Sequence, residues 1–191
     1  NDGSLFLFVS NDLQDALSIY YLSFDSSFFG GYGRSLSLSP FVKEQPRVLN
    51  FLPHHTSYKG REYVVYQSQN TGRTEGYQLY LKISDTNGNF NINDTAVQLT
   101  EAGEEIDGEL QDYSRFDNQR PFITDYGENL TVVWERSYLG RQQQIYLMEI
   151  DRNGNLVSNG STASPYYTRV TDGNYTCLSP KAFIFRDSLY L

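Results

Sequence analysis

Residues 144–155 read QIYLMEIDRNGN and residues 78–89 read QLYLKISDTNGN, so one strand-and-turn pattern occurs twice in the chain. The tyrosines at the third position of the two copies are Tyr80 and Tyr146. An Asn-Gly dipeptide after a short apolar run is typical of a tight hairpin turn, because glycine adopts the positive φ that such turns need. A pattern repeated at this spacing predicts a fold built from equivalent units.

Matching segments flank both copies. YVVYQS at 63–68 corresponds to TVVWER at 131–136, and each precedes its copy across a loop that contains Gly-Arg. VQLT at 97–100 and TRVT at 168–171 follow the two copies as short closing strands. The likeness therefore extends over a whole unit of sheet rather than a single hairpin.

Residues 46–51 and 120–126 supply a first strand to each unit, which makes four short antiparallel strands per unit. Four-stranded sheets repeated around an axis are the blades of a β-propeller. A β-sandwich is the alternative, because it also contains short strands, but it does not require this internal likeness. The sequence therefore predicts an all-β propeller built of four-stranded antiparallel blades.

Both ends of the chain fit the same template incompletely. We predict a partial blade of three strands over 1–45, closing at 35–39, full blades over 46–118 and 119–178, and the start of a further blade over 179–191. About three blades do not close a ring, since propellers contain at least four. We expect an incomplete ring, either as a piece of a longer chain or as a chain that completes its ring with another.

Composition and charge exclude several functions. Aromatic residues make up 15% of the chain, which favours strands. The formal net charge of −8 disfavours nucleic-acid binding. The single Cys177 and the adjacent His54 and His55 cannot supply a cysteine-rich zinc site or an HExxH motif. We therefore expect no metal and no cofactor. No apolar run is long enough to cross a bilayer, so we also expect no membrane-spanning segment.

The strand, the Gly-containing loop, the QIYLMEID-x-NGN strand and turn, and the TRVT end together resemble the TolB-like, WD40-like propeller repeat of bacterial envelope proteins. In that class a blade ends on LT or VT, as both full units do here. The Ser-Pro-Asp-Gly turn that is usual between the first two strands is replaced by YGEN at 126–129.

This resemblance implies a non-catalytic, extracytoplasmic module for protein binding or for assembly of an envelope complex. The chain contains no basic-then-apolar signal segment, so it is either cytoplasmic or already processed. The resemblance implies the second, a mature periplasmic or extracellular protein. Four Asn-x-Ser/Thr sequons occur, at Asn93, Asn129, Asn159 and Asn174, and the resemblance to bacterial proteins favours chance occurrence over glycosylation.

Candidate binding residues lie in loops that propellers place on one face. Residues 101–112 carry six acids between two blades. They form either a docking site for a basic partner or a cation, or a solvated surface loop. Gly-Arg at 72–73 and at 140–141 lies between the second and third strands. Arginine and tyrosine are enriched at binding hot spots, and loops on a rigid scaffold are free to specialise. The predicted partner-binding residues are Arg73, Tyr138, Arg141, Glu104, Glu105 and Asp107.

A fragment of a five-bladed propeller glycoside hydrolase, or of a carbohydrate-binding protein, is the alternative function. Glycoside hydrolysis needs two carboxylates about 5 to 10 Å apart. The candidate first strands contain only Asp125, with Glu135 on a second strand. No Ser-His-Asp set is present, and His54 and His55 beside Pro53 indicate a turn. We therefore assign no catalytic residue.

Two further features favour structural roles. The turns at 85–89 and 151–155 place oxygen atoms at the first, third and fifth positions, as a calcium loop does, but the glycine comes too early and the twelfth-position Glu is missing. We predict ordinary hairpin turns. Trp134 stands where the matching strand has Tyr66, so we predict that it packs in the core.

Overall fold

A computed structural model describes residues 5–13, 16–24, 39–42, 47–70, 76–100, 105–106, 109–110, 116–138, 141–161 and 166–191. The described residues are all-β, and sixteen strands are present among them. No helix long and apolar enough to span a membrane occurs in these ranges.

Most strands are short, and the three longest pairs form hairpins. In chain order the strands are β1 Leu5–Leu13, β2 Ala16–Phe24, β3 Ser39–Pro40, β4 Val48–Tyr58, β5 Arg61–Asn70, β6 Gln78–Ile83, β7 Val97–Gln98, β8 Glu105–Ile106, β9 Glu109–Leu110, β10 Phe116–Tyr126, β11 Asn129–Tyr138, β12 Gln144–Ile150, β13 Leu156–Val157, β14 Thr168–Arg169, β15 Phe183–Phe185 and β16 Ser188–Tyr190. Of the closing strand predicted at 35–39, residues 35–38 lie outside the described residues.

Two sheets correspond to the predicted full blades. Blade A is β4–β5–β6–β7, with every neighbouring pair antiparallel. Blade B is β10–β11–β12, and its outer position is shared by β13 and β14, which pair with opposite halves of β12. The hairpin β15–β16 begins a further unit, here called unit C. The prediction of four-stranded antiparallel blades is confirmed.

The three strands of the N-terminal unit also pair in sequence order. Strand β2 pairs with β1 and β3, both antiparallel. A single parallel pair, Leu17 with Leu49, joins β2 to β4 and so to blade A.

The second and third strands of the two blades pair in the same register. Tyr66 lies opposite Tyr80 in blade A, and Trp134 lies opposite Tyr146 in blade B. The ring centroids are 5.9 Å and 5.8 Å apart. Trp134 is fully buried, and its Nε1–H donates to Asn118 Oδ1 at 2.8 Å. The predicted core position of Trp134 is confirmed.

An X-Pro dipeptide whose first residue has a left-handed φ occurs in β4, in β10 and shortly before β15. The φ angles are 51°, 50° and 54° for Leu52, Arg120 and Ser179, which precede Pro53, Pro121 and Pro180. Left-handed φ is uncommon for residues other than glycine. In β4 and β10 the dipeptide coincides with a register shift, as expected of a β-bulge. The three places are here called the X-Pro bulges; in unit C the dipeptide precedes β15, and the name refers there to the left-handed φ alone.

The bulge corrects one prediction. The predicted first strand ended at residue 51 and placed His54 and His55 in a turn, which is wrong, because pairing resumes with His54 opposite Val65 and β4 continues to Tyr58. Proline cannot donate a ladder hydrogen bond, but a bulge on the innermost strand leaves it out of the pairing without ending the strand.

A buried side-chain network, here called the Gln–Thr clamp, joins blade A to blade B. Gln78 Nε2–H donates to the Phe116 carbonyl on β10 at 3.1 Å. Gln78 Oε1 accepts from the Thr100 hydroxyl at 2.7 Å and from Asn118 Nδ2 at 3.1 Å. Thr100 Oγ1 in turn accepts the Leu79 N–H at 2.9 Å. The clamp thus connects the third strand, the blade-ending Thr and the first strand of the next blade.

The clamp recurs between blade B and the chain that leads into unit C. Gln144 Nε2–H donates to the Tyr175 carbonyl at 2.8 Å, and Gln144 Oε1 accepts from the Thr171 hydroxyl at 2.7 Å. Thr171 Oγ1 accepts the Ile145 N–H at 3.1 Å. The threonine of the LT or VT end therefore has a specific structural role in both blades.

Apolar side chains fill the space between blades A and B. Burial of each contributes about 1.5–3 kcal/mol. Gly154, with φ 85°, packs closely here, since a Cβ would lie 3.1 Å from Leu81 Cδ2. The buried cluster comprises Tyr58, Tyr63, Val65, Leu79, Leu81, Leu99, Ile123, Leu130, Val132, Trp134, Met148, Ile150 and Tyr167.

The two Asp-x-Asn-Gly-Asn turns use their aspartates internally. Asp85 Oδ1 accepts the N–H groups of Asn87 and Asn89, both at 2.8 Å. Asp151 Oδ1 accepts the corresponding N–H groups of its own turn at 2.8 and 2.9 Å. The hydrogen bond from the Asn89 backbone is the main cause that lowers the pKa of Asp85 below its usual value. The prediction of hairpin turns is confirmed.

We predict that Thr100→Val lowers the free energy of unfolding by about 1–3 kcal/mol, because the buried Leu79 N–H loses its acceptor. Urea denaturation measures the change. Thr95→Val is the matched control, since Thr95 is exposed, and we expect a change within about 0.5 kcal/mol. Equal stability of the two variants would contradict the structural role of the clamp.

Candidate functional site

A cavity of about 180 Å³ lies where the X-Pro bulges of blade A, blade B and unit C meet. Because the bulges belong to the first strand regions of three successive units, the cavity is built jointly by them. Its lining residues are Leu52, Pro53, His54, Arg120, Pro121, Ser179, Pro180 and Lys181.

Arg120 is held in this cavity by two residues at corresponding positions of the second strands. Gln67 Oε1 on β5 accepts the Arg120 backbone N–H at 2.8 Å. Glu135 on β11 accepts from Arg120 Nη1 at 2.7 Å, and its other oxygen accepts the Ser179 N–H. Glu135 is only 1% exposed, whereas Arg120 is 46% exposed. The buried carboxylate is therefore paired and orients the guanidinium toward the open side.

His54 is a neutral side chain of the cavity wall. Its Nδ1 accepts the Ile123 N–H at 3.2 Å, and the centroids of the His54 and Phe122 rings are 3.8 Å apart. Burial above all, then the charges of Lys181 and His55, lower the pKa of His54 to about 4. At neutral pH the ring therefore carries its hydrogen on Nε2, which is a donor.

Lys181 adds an exposed cation. Its Nζ lies 5.1 Å from the centroid of the Phe122 ring, within cation–π range. No carboxylate is among the described residues that line the cavity. The wall thus presents two cations and one neutral imidazole, and the Arg120 charge is partly offset by Glu135 behind it.

The structure brings together two of the predicted partner-binding residues. The Arg141 N–H donates to the Tyr138 carbonyl at 2.9 Å, and the Arg141 guanidinium carbon lies 5.7 Å from the Tyr138 ring centroid. Tyr138 itself contacts Phe116, with ring centroids 4.9 Å apart. Arg141 is exposed and Tyr138 is half-buried, so the arginine rests on an anchored ring.

The other predicted partner-binding residues lie mostly outside the described residues. These are Arg73, Glu104 and Asp107, while Glu105 is described only by its place in strand β8. Their grouping with Tyr138 and Arg141 stays a prediction.

The ends of the predicted loops do converge on one side of the sheets, here called the loop face. Phe116 pairs with Tyr138, so the connection before β10 and the loop after β11 share an edge. The Tyr77 N–H donates to Asp117 Oδ1 at 3.0 Å, which brings the end of the loop after β5 to the same place. A Cβ on Gly76 would lie 2.3 Å from the Phe116 carbonyl oxygen, so this approach requires glycine.

The two acids considered for glycoside hydrolysis are far apart. Gln119 lies opposite Glu135, whereas Asp125 lies opposite Leu130 near the other end of β10. The separation along the strand is roughly 15–20 Å at about 3.3 Å per residue. Within the described ranges, no group of three or more His, Cys, Asp or Glu side chains is placed to hold a metal ion.

Sequence reasoning missed the cavity, although its signal is present as a proline at the same place in three units, Pro53, Pro121 and Pro180. The dipeptides differ in their first residue, and each proline alone indicates a turn. Only their shared left-handed φ shows that they are equivalent.

No family model matches the chain, and no curated protein matches it. Among solved structures, the chain is similar to a thermostable family-43 glycoside hydrolase, with a TM-score of 0.51 and 14% sequence identity. The match covers 86% of this chain and 56% of that one, so the chain spans little more than half of its length. At this identity the likeness shows the fold alone, which is a β-propeller, as the strand pattern predicted.

We predict that His54 makes stability fall on acidification between pH 6.5 and 4. Its pKa is about 4 in the folded protein, below the ordinary 6.5, so the unfolded chain binds a proton that the folded chain excludes. His54→Asn retains an acceptor for the Ile123 N–H and removes this part of the pH slope. Urea titrations at several pH values measure it, and an unchanged slope in the variant would show that His54 does not contribute.

Proposed function

We propose that the protein is a non-catalytic, extracytoplasmic β-propeller module that binds a protein partner through its loop face. The observation that carries the proposal is the pair formed by Arg141 and Tyr138. The arginine is exposed and the tyrosine is anchored on Phe116, so a charged group is held over a preordered aromatic ring. Such arginine and tyrosine pairs on a rigid scaffold suit a binding hot spot.

The proposal includes membership of the TolB-like, WD40-like class of envelope propellers and a periplasmic or extracellular location. Its support is the strand-and-turn motif with the LT or VT blade end at Thr100 and Thr171. The Gln–Thr clamp gives that motif a physical reason, because the threonine satisfies buried groups at each junction.

A non-catalytic function fits the acids of the described residues. Glu135 is bonded to Arg120 and Ser179, and Asp125 lies near the other end of the sheet. General acid–base chemistry on a glycosidic bond needs two carboxylates that face one gap. These two do not.

The ring is proposed to be completed by a further blade, from this protein or from a partner. The Tyr58 hydroxyl donates to the Glu128 carbonyl at 2.6 Å, and Tyr126 donates to the Asp187 carbonyl at 3.3 Å. Each tyrosine thus contacts the first hairpin turn of the next unit. The corresponding residue of unit C is Phe185, which is exposed beside other aromatic side chains.

A fragment of a propeller glycoside hydrolase, or of a carbohydrate-binding protein, is the second candidate. The similarity to the family-43 enzyme supports it. It requires carboxylates beyond the pair considered above, and turnover of an aryl glycoside by the native protein is the observation that would favour it.

We predict that a photo-crosslinking residue at position 141 captures a defined protein in the native envelope fraction, whereas one at Asn153 does not. Asn153 is the matched control, because it is exposed on the opposite hairpin turn. Arg141→Ala should weaken the same complex at least tenfold with a nearly unchanged melting temperature. Tyr138→Ala would not separate binding from stability, because loss of its contact with Phe116 would also lower the free energy of unfolding.

Equal capture from positions 141 and 153 would contradict the loop face as the binding surface. Hydrolysis of aryl glycosides by the purified protein would contradict the non-catalytic function.

A further inference from the structure

We propose that the cavity among the three X-Pro bulges binds a small carboxylate ligand, with Arg120 and Lys181 supplying its charge partners. The site is separate from the loop face and does not depend on the proposed protein partner. It is built from first strand regions and their bulges, not from the loops between strands.

Arg120 is oriented and still has donors to offer. Glu135 engages Nη1, and Gln67 engages the backbone N–H. Within the described part of the chain the guanidinium makes no other hydrogen bond, and almost half of the side chain is exposed. An arginine has five N–H donors in a planar fork that matches the two oxygens of a carboxylate.

Lys181 gives the cavity a net positive charge. Glu135 offsets the charge of Arg120, and His54 is neutral at pH 7, so the ammonium of Lys181 is left without an opposite charge among the lining residues. The whole chain carries a formal net charge of −8, so a cationic cavity is a local exception. An anion is therefore the ligand that this lining favours.

The volume and the wall restrict the class of ligand. A volume of about 180 Å³ equals that of about six water molecules, which suits one small organic acid or one acidic sugar. Pro53, Pro121, Pro180 and Leu52 provide apolar contacts for the body of the ligand, and His54 offers an Nε2–H donor. Small pockets of this kind combine apolar walls with a few oriented polar groups.

Isothermal titration of the protein with glucuronate, glucose and benzoate tests the proposal. Glucuronate and glucose have the same ring and differ in the carboxylate, whereas benzoate keeps the carboxylate on an aromatic ring. We expect at least one of the two acids to bind at least tenfold more tightly than glucose. Preference for glucuronate assigns an acidic sugar, and preference for benzoate assigns an aromatic acid.

Lys181→Gln should weaken binding of the preferred acid about tenfold or more, because it removes a charge-assisted contact. Arg186→Gln is the matched control, since Arg186 is also an exposed cation of unit C but does not line the cavity. The double variant Arg120→Gln with Glu135→Gln should abolish binding without leaving a buried unpaired carboxylate.

Three results would overturn the proposal. One is binding of glucose as tight as that of the acid that binds more tightly. Another is unchanged binding in Lys181→Gln, and the third is no heat of binding with either acid at millimolar concentration.

Discussion

Buried polar groups at the junction between blades constrain the whole structure. Gln78 and Gln144 each have an amide that must find partners out of water, and the first strand region of the next unit supplies the carbonyl that each one needs. A blade is therefore not self-sufficient, since the glutamine amide of its third strand finds its carbonyl partner only when the chain of the next unit is in place. This dependence sets the spacing of the first strands, and that spacing brings the three X-Pro bulges together around one cavity.

The candidate site depends on a difference between blades A and B at one matching position of the second strand. Gln67 and Glu135 occupy matching places on the second strands, and each accepts the backbone N–H of the left-handed residue at the next bulge, Arg120 or Ser179. Where the second-strand residue is a glutamine, as at Gln67, the contact is purely structural. Where it is a glutamate, the same contact places a buried negative charge that Arg120 pairs with. The buried charge that pairs with Arg120 therefore follows from a glutamate in blade B where the matching position of blade A has a glutamine.

The fold was predictable because its signals are local. Alternating apolar residues, the Asn-Gly turns and the repeated Tyr80 and Tyr146 each report on a few neighbouring residues, and strands are present where they predict them within the described ranges. The cavity was not predictable in the same way, because it depends on how three units meet. Pro53 alone indicates the end of a strand, and only the pairing of His54 with Val65 shows that the strand continues.

The loop face also shows that sequence predicts local contacts better than long-range ones. Tyr138 and Arg141 are close in sequence, so their contact follows from a single tight turn. Arg73 and the acidic residues of 101–112 are distant from them in sequence, so only long-range packing could bring them near, and most of these residues lie outside the described ranges. Their grouping with Tyr138 therefore stays a prediction, whereas the contact between Arg141 and Tyr138 is present in the structure and its role in binding is a proposal.

Native-state hydrogen exchange tests the central claim, that equivalent side-chain clamps lock each blade to the next. The amides of Leu79 and Ile145 donate to Thr100 and Thr171 of their own blades, and each threonine donates in turn to the glutamine whose amide bonds to the next unit. If the clamps hold the blades together, these two amides exchange only through global unfolding and show matching protection. Exchange as fast as that of the exposed turn amides would contradict the claim, because the clamps would then open without unfolding of the blades.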